Sequence, residues 1–157
     1  MIESLQDLTE SMPPLLQWLA VMVAGAIPFV ESYFGSVIGV LAGLALPVAV
    51  IAAVLGNVAS MLAVVFGADA VRSRVARPAK EPSPRRLRLR RAFDRYGVAG
   101  VSLLGQTILP SQITALAMVS FGASKNAIVL WQTVSIILWG TAFGVLASLG
   151  VDLVATG

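Results

Sequence analysis

Between Pro13 and Gly67 the chain carries one acidic or basic side chain, Glu31, and it follows a proline inside the run Gly25-Ala-Ile-Pro-Phe-Val-Glu31. So long an uncharged stretch narrows the folds available. Of the whole sequence 57% is hydrophobic and 12% charged, whereas soluble domains carry about 25% charged residues. A soluble domain of 157 residues has too little interior to hide this much apolar surface. The composition therefore predicts an integral membrane protein. In that setting a lone carboxylate at a broken helix is a functional-site hypothesis.

The length allows one small unit and no separate soluble catalytic domain. Cysteine and histidine are absent, which removes disulfides, thiol nucleophiles and thiolate or imidazole metal ligands. The first twelve residues carry Glu3, Asp7 and Glu10 and lack a basic n-region, so no cleavable signal peptide is expected.

Ten of the eleven Lys and Arg residues lie between Arg72 and Arg95, and the eleventh is Lys125. A basic loop between hydrophobic segments sets orientation, which predicts that residues 69–96 are cytoplasmic. No aromatic-interleaved motif accompanies these arginines, and topology accounts for the charge, so no nucleic-acid partner is expected. Within the loop, Arg77-Pro-Ala-Lys-Glu-Pro-Ser-Pro84 reads as a linker without packing potential. Beyond it, Leu89, Ala92, Phe93 and Tyr96 recur at helical spacing among six arginines. The pattern predicts an amphipathic helix over 85–96, lying on an anionic leaflet and stopped by Gly97.

The apolar segments do not divide into ordinary spans. Leu15 to Val30 is broken at Pro28 and is shorter than the roughly 20 residues a crossing needs. Tyr33 to Ala68 is too long for one crossing, and Pro47 divides it, leaving 47–68 as a credible span. Gly97 to Ser124 carries Gly105-Gln-Thr-Ile-Leu-Pro-Ser-Gln-Ile-Thr114 at its middle, flanked by apolar arms of about half a bilayer each. Residues 126–151 form the second span. Half-length arms joined by a polar, proline-containing tip predict re-entrant hairpins, tolerated where such backbone is buried in protein or lines a wet cavity. One is expected over 15–46 with its tip near 27–32, the other over 97–124 with its tip near 106–112.

The element order then repeats. Residues 1–68 would form a first unit: an amphipathic helix with Ile2, Leu5, Leu8 and Met12 on one face, a hairpin and a crossing. After a cytoplasmic linker at 69–84, residues 85–157 would form a second unit of the same composition. Both crossings end in a similar pentad, Gly67-Ala-Asp-Ala-Val71 and Gly150-Val-Asp-Leu-Val154, 83 residues apart. With residues 69–96 cytoplasmic, the first hairpin enters from outside and the second from the cytoplasm, and the C-terminus ends outside. The predicted fold class is thus all-α and integral to the membrane, built of two inverted units. Inverted repeats with discontinuous helices are a transporter architecture, with substrate sites at the breaks.

The run Gly25 to Glu31, Leu55-Gly-Asn57, and the run Arg95 to Thr114 resemble the small multidrug export (small multidrug efflux) proteins of bacteria. The resemblance covers about residues 15–152. More distantly, the hairpin-plus-helix plan resembles the DedA/VTT superfamily, whose members are implicated in moving lipids, including undecaprenyl phosphate, and in proton-dependent membrane physiology. That superfamily's second hairpin typically shows Gly-Arg before its proline and another Arg soon after. Here Gly105-Gln106 precedes Pro110 and Ser111-Gln112-Ile113-Thr114 follows it. Arginine is the bidentate partner of a phosphate, so the chain departs from the pattern where phosphate capture would need it.

The residues expected to bind substrate or ion are Glu31, Pro28, Asn57, Gln106, Thr107, Pro110, Gln112 and Thr114. Burial of Glu31 would let it bind and release a proton or face a cationic substrate; the alternative is an ionised carboxylate in a wet vestibule. The polar residues of the second tip either touch substrate or satisfy backbone groups released at Pro110. Asn57 and Gln132 suit interhelical hydrogen bonds, and Gly35-xxx-Gly39-xxx-Gly43 and Gly140-xxx-Gly144-xxx-Ser148 suit close helix contact or a dimer seam. No carboxylate pair, phosphate loop or based serine is evident. The chain is therefore read as no enzyme, with no cofactor and no metal site. The expected function is a secondary transporter or lipid translocase in the cytoplasmic membrane, in contact with membrane lipids and forming a homodimer. Its substrate would be a small amphipathic molecule or a lipid, moved as Glu31 exchanges a proton or cation facing the second tip. The alternative is a non-transporting membrane assembly factor.

Overall fold

The computed structural model of the protein describes residues 2–72, 84–106 and 108–156. Among them are seven α-helices and no strand: α1 (Ile2–Ser11), α2 (Pro14–Ala26), α3 (Glu31–Leu41), α4 (Leu46–Arg72), α5 (Pro84–Gly105), α6 (Ser111–Ser120) and α7 (Lys125–Thr156). The expected linker at 69–84 falls largely outside the described residues, and so does Thr107.

Prolines set most of the boundaries. Pro13 is extended (ψ 140°) and Pro14 opens α2, where its missing N–H would have had no partner anyway. Ile27, ahead of Pro28, is forced out of the helical region to ψ 126°, as the proline ring requires of its predecessor. Pro110 is extended at φ −53°, ψ 146° and releases α6 at Ser111. Two helices are long and apolar enough to cross a membrane, through Leu46–Gly67 and Lys125–Leu153. At 1.5 Å per residue the first of these stretches spans about 33 Å against a hydrocarbon core of about 30 Å. Both helices run past the expected ends at 68 and 151, because neither meets a proline there.

The end of α3 and the end of α6 are built alike. Gly43 takes φ 86° and Gly122 φ 91°. Leu44 N–H bonds Gly39 C=O at 3.0 Å while Gly43 N–H bonds Val40 C=O; Ala123 N–H bonds Met118 C=O at 3.1 Å while Gly122 N–H bonds Val119 C=O. This is the paired closure of a left-handed glycine cap. The recurrence extends to the helix limits: α2 ends at Ala26 and α5 at Gly105, α3 starts at Glu31 and α6 at Ser111, α4 starts at Leu46 and α7 at Lys125. The second set follows the first by 79 to 80 residues. The helix limits therefore recur at that spacing rather than at the 83 residues that separate the similar pentads.

Gly97 stops the arginine-rich helix, as the sequence predicts. Its backbone is non-helical at φ 66° and ψ −166°, so α5 is two helices that meet at a kink, the arginine-rich one before Gly97 and the apolar arm after it.

The chain divides into two compact units, residues 1–60 with 136–157, and residues 61–135. They differ from the sequential halves 1–68 and 85–157, since α4 and α7 each give one end to each unit. A hairpin arm of ten to thirteen residues is about 15–20 Å long and covers only part of a helix twice that length.

In the first unit α1 packs on α2 and α3, which pack on each other. Val21, Ala52 and Ala53 form one buried cluster, and Ala24, Val30 and Ile38 another, with Leu5 of α1 against it. Small residues let α2 and α4 meet backbone to backbone: a Cβ on Gly25 would strike the carbonyl of Ala53, and one on Gly56 the carbonyl of Met22. In the second unit α5 packs on α6. Phe93 lies 5.6 Å from Phe121, and the Arg90 guanidinium sits 5.1 Å over the same ring, which ties the basic end of α5 to the end of α6.

Candidate functional site

The break between α2 and α3 is closed by one carbonyl. Ile27 C=O accepts Val30 N–H at 3.1 Å and Glu31 N–H at 3.0 Å. Turning the chain within four residues puts Phe29 at φ 73° and Glu31 at φ 53°. Both lie in the left-handed region, which costs a non-glycine residue about 1–3 kcal/mol and persists only where its surroundings hold it. Glu31 is the first residue of α3 and fully buried. That burial does not fit the wet-vestibule alternative. A carboxylate at this end of a helix faces the positive pole of the helix dipole.

The next turns of α3 fix this position. Ser32 donates to Ile136 C=O and Ser36 to Gly140 C=O, each at 2.8 Å, so two serines one turn apart grip two carbonyls one turn apart on α7. Gly140 and Gly144 make room for them, a Cβ on Gly140 coming within 3.0 Å of Ser32 Cβ and one on Gly144 within 3.4 Å of Ser36 Cβ. Gly35 and Gly39 likewise face Ala53 and Ala49 of α4, whereas Gly43 has nothing near it and serves as the cap. Both small-residue stripes are used within the chain. Of the other expected site residues here, Pro28 is exposed at the turn, and Asn57 is buried on α4 beside Gly56.

The break between α5 and α6 uses the same hydrogen-bond pattern: Gly105 C=O accepts Ile108 N–H at 3.0 Å and Leu109 N–H at 2.9 Å. Here the proline follows the turn rather than opening it, and neither Ile108 nor Leu109 is left-handed. Thr114 donates its hydroxyl to Pro110 C=O at 3.0 Å, which is the backbone-satisfying role. Gln106, Pro110, Gln112 and Thr114 are all buried. Gln106 meets Ser135 of α7, Oε1 to Oγ, at 2.8 Å, and Ser135 also donates to Ser102 C=O at 2.8 Å. The structure thus brings Gln106, Pro110, Gln112 and Thr114 into the second unit, and Glu31, Pro28 and Asn57 into the first.

One expectation is corrected. Gln132 is expected to bond a neighbouring helix, yet it is fully buried and neither of its amide atoms has a hydrogen-bond partner among the described residues. Sequence reasoning also passed over Ser32, Ser36, Ser102 and Ser135, all fully buried. The signal available was their spacing: Ser32 with Ser36 and Gln132 with Ser135 recur at i, i+4 and i, i+3 on apolar helices, so each pair shares a face, and Ser102 precedes Gln106 by four residues in the apolar arm that runs into the second break.

No family model, curated protein or solved structure matches the chain. Fold and site together define an all-helical protein with two helices fit to cross a membrane and two helix breaks that carry buried polar side chains.

Proposed function

We propose that the chain is a multi-pass protein of the cytoplasmic membrane that acts as a small secondary transporter or lipid translocase, with Glu31 as its proton- or cation-binding group. The observation that carries this reading is a carboxylate with no exposed surface, on left-handed backbone, at the head of a half-length helix. A charged side chain at membrane depth costs about 2.5–3.5 kcal/mol on insertion scales, and the backbone strain adds to that cost. Buried carboxyls of this kind neutralise by taking up a proton or pair with a cation, which is the exchange a coupled transporter needs.

Membrane insertion is supported by what the long helices leave uncovered. Only 39% and 22% of their most apolar stretches are buried, whereas the core helix of a soluble protein is mostly buried. The repeated hairpin ends support two units of common plan, which the proposal takes as inverted in the bilayer, with the basic segment cytoplasmic. Two crossings are few to enclose a pathway, so the working form is a homodimer. Membership in the small multidrug export group, with its distant likeness to DedA proteins, belongs to the same proposal.

Purified wild type and Glu31→Gln, reconstituted in proteoliposomes under an imposed pH gradient, are assayed with a fluorescent amphipathic cation and with polyprenyl and phospholipid probes. The variant is expected to lose the gradient-dependent flux by at least about tenfold, equivalent to about 1.4 kcal/mol in the barrier. Absence of flux for every probe with wild type, or equal flux with both proteins, sinks the reading and leaves the assembly-factor alternative.

A further inference from the structure

Inside the second unit, the end of α5 with the turn after it and one face of α7 carry hydrogen-bonding groups that have no partner among the described residues. Ser102 stands in the last turn of α5 and Gln106 in the turn that follows the helix; Gln132 and Ser135 stand one turn apart on α7. Ser102, Gln132 and Ser135 have no exposed surface and Gln106 is 5% exposed. The two faces meet through Ser135 Oγ, 2.8 Å from both Ser102 O and Gln106 Oε1. Around that contact Ser102 Oγ, Gln106 Nε2 and both Nε2 and Oε1 of Gln132 have no partner among the described residues. Each such group buried unsatisfied costs about 1–3 kcal/mol, so four together on joined faces are better explained by a ligand than by packing.

The chemistry of the set restricts that ligand. Ser135 carries one hydroxyl proton and meets two acceptors. With the proton on Ser102 C=O, the Gln106 amide turns so that its NH2 group donates to Ser135 Oγ and its oxygen is left open. In either orientation Gln106 presents one unused amide atom, while Gln132 presents a donor and an acceptor whichever way its amide lies. A carboxylate or a phosphate dianion brings no proton for the Gln132 oxygen, and an alkylammonium brings nothing to accept from its NH2 group. The surrounding chain also holds no counter-charge: Gly97–Ser124, Asn126–Val151 and Met61–Ala68 contain no Asp, Glu, Lys or Arg. An ion buried here would meet the full desolvation penalty.

We propose that Ser102, Gln106, Gln132 and Ser135 form a binding site for an uncharged head group that both donates and accepts hydrogen bonds, as the hydroxyls of a sugar or a glycerol do. This deepens the transport reading, on which its role as a substrate site rests, by naming the substrate class. Binding itself stands apart from transport, because it is measured at equilibrium without a gradient.

The full chain in lipid nanodiscs, with empty discs as reference, is titrated calorimetrically with decyl glucoside, decyl phosphate, decyltrimethylammonium and free glucose. Wild type is expected to bind decyl glucoside at least about tenfold more tightly than either charged decyl compound, a difference of about 1.4 kcal/mol. Gln132→Leu is expected to abolish that preference while unfolding at the same or a higher temperature, since it removes two unsatisfied atoms. If Gln132→Leu does not fold, Gln132→Met takes its place. Leu130→Ala, at an exposed residue of α7, keeps the preference. Competition by free glucose would show the head group arriving from water, and none would show a lipid source; both support the site. Tighter binding of a charged compound overturns the proposal. So does a preference that survives the Gln132 variants, or a lack of binding by all four probes, which leaves the amides hydrated by water alone. Binding without flux would sink the transport reading and leave this site standing.

Discussion

The two helix breaks solve one backbone problem with opposite chemistry. In each, a single carbonyl, Ile27 or Gly105, accepts from the residues three and four places on, and the chain turns back into a short helix that ends on a left-handed glycine. The first break opens with its proline, forces Phe29 and Glu31 into left-handed backbone and buries a carboxyl group. The second closes with its proline, keeps Ile108 and Leu109 out of that region and buries amides and hydroxyls. What separates them is the surrounding packing. Gly25 and Gly56 bring α2 and α4 into backbone contact, and Ser32 and Ser36 bind α3 to α7, so strain at the first break is held from two sides. At the second break a single α7 serine, Ser135, bonds both the Ser102 carbonyl and the Gln106 amide at 2.8 Å, and Ser102 Oγ and Gln106 Nε2 have no partner among the described residues.

That contrast can be broken first at the glycines. Gly56→Ala drives a methyl group into the Met22 carbonyl, a backbone atom that cannot rotate aside, and should destabilise the protein by about 3 kcal/mol, at the upper end of overpacking costs. Gly105→Ala meets Thr114 Cγ2 at 3.2 Å, a side-chain atom, and should cost less than about 1 kcal/mol. Thermal unfolding in matched micelles checks both, and equal losses would mean that the two breaks are equally constrained.

The serine clamp comes next. Ser36→Ala removes the bond to Gly140 C=O and should cost about 1 kcal/mol. Because the clamp holds the head of α3, the variant should also lower gradient-driven flux more than Thr114→Val does at the second break. Equal flux in the two variants would show that α3 needs no such support.

The smallest effect has the opposite sign. Phe29 is left-handed and well exposed, so Phe29→Gly relieves strain with little packing lost and should stabilise by about 0.5–1 kcal/mol. At the second break Ile108→Gly has no strain to relieve and should be neutral or destabilising. A stabilisation at Ile108 matching that at Phe29 would remove the distinction in backbone strain.

Much of this was legible in one dimension. Pro28, Pro47 and Pro110 act on their immediate neighbours, so the places where the helices begin and end could be read from the chain, to within a few residues. The same holds for the tips near 27–32 and 106–112. The ends of α4 and α7 were less legible, because loss of apolar character marks where lipid contact stops and not where a helix stops. Gly97 was legible as a stop, because glycine takes φ 66° without a Cβ penalty; that a second helix starts directly beyond it was not. The stripe Gly140-xxx-Gly144 predicted close contact without naming the partner, and α3 supplies it.

The sequence by itself determined an apolar, all-helical chain, the sites of its breaks and the isolation of Glu31 among uncharged neighbours, because composition and proline stereochemistry act locally. Only the tertiary structure decided that Glu31 is buried on left-handed backbone, that Thr114 serves the main chain, and that Gln132 has no hydrogen-bond partner among the described residues. Burial and hydrogen-bond satisfaction depend on which helix faces which, and residues more than a hundred positions apart, such as Ser32 and Ile136, settle that only when the chain has folded.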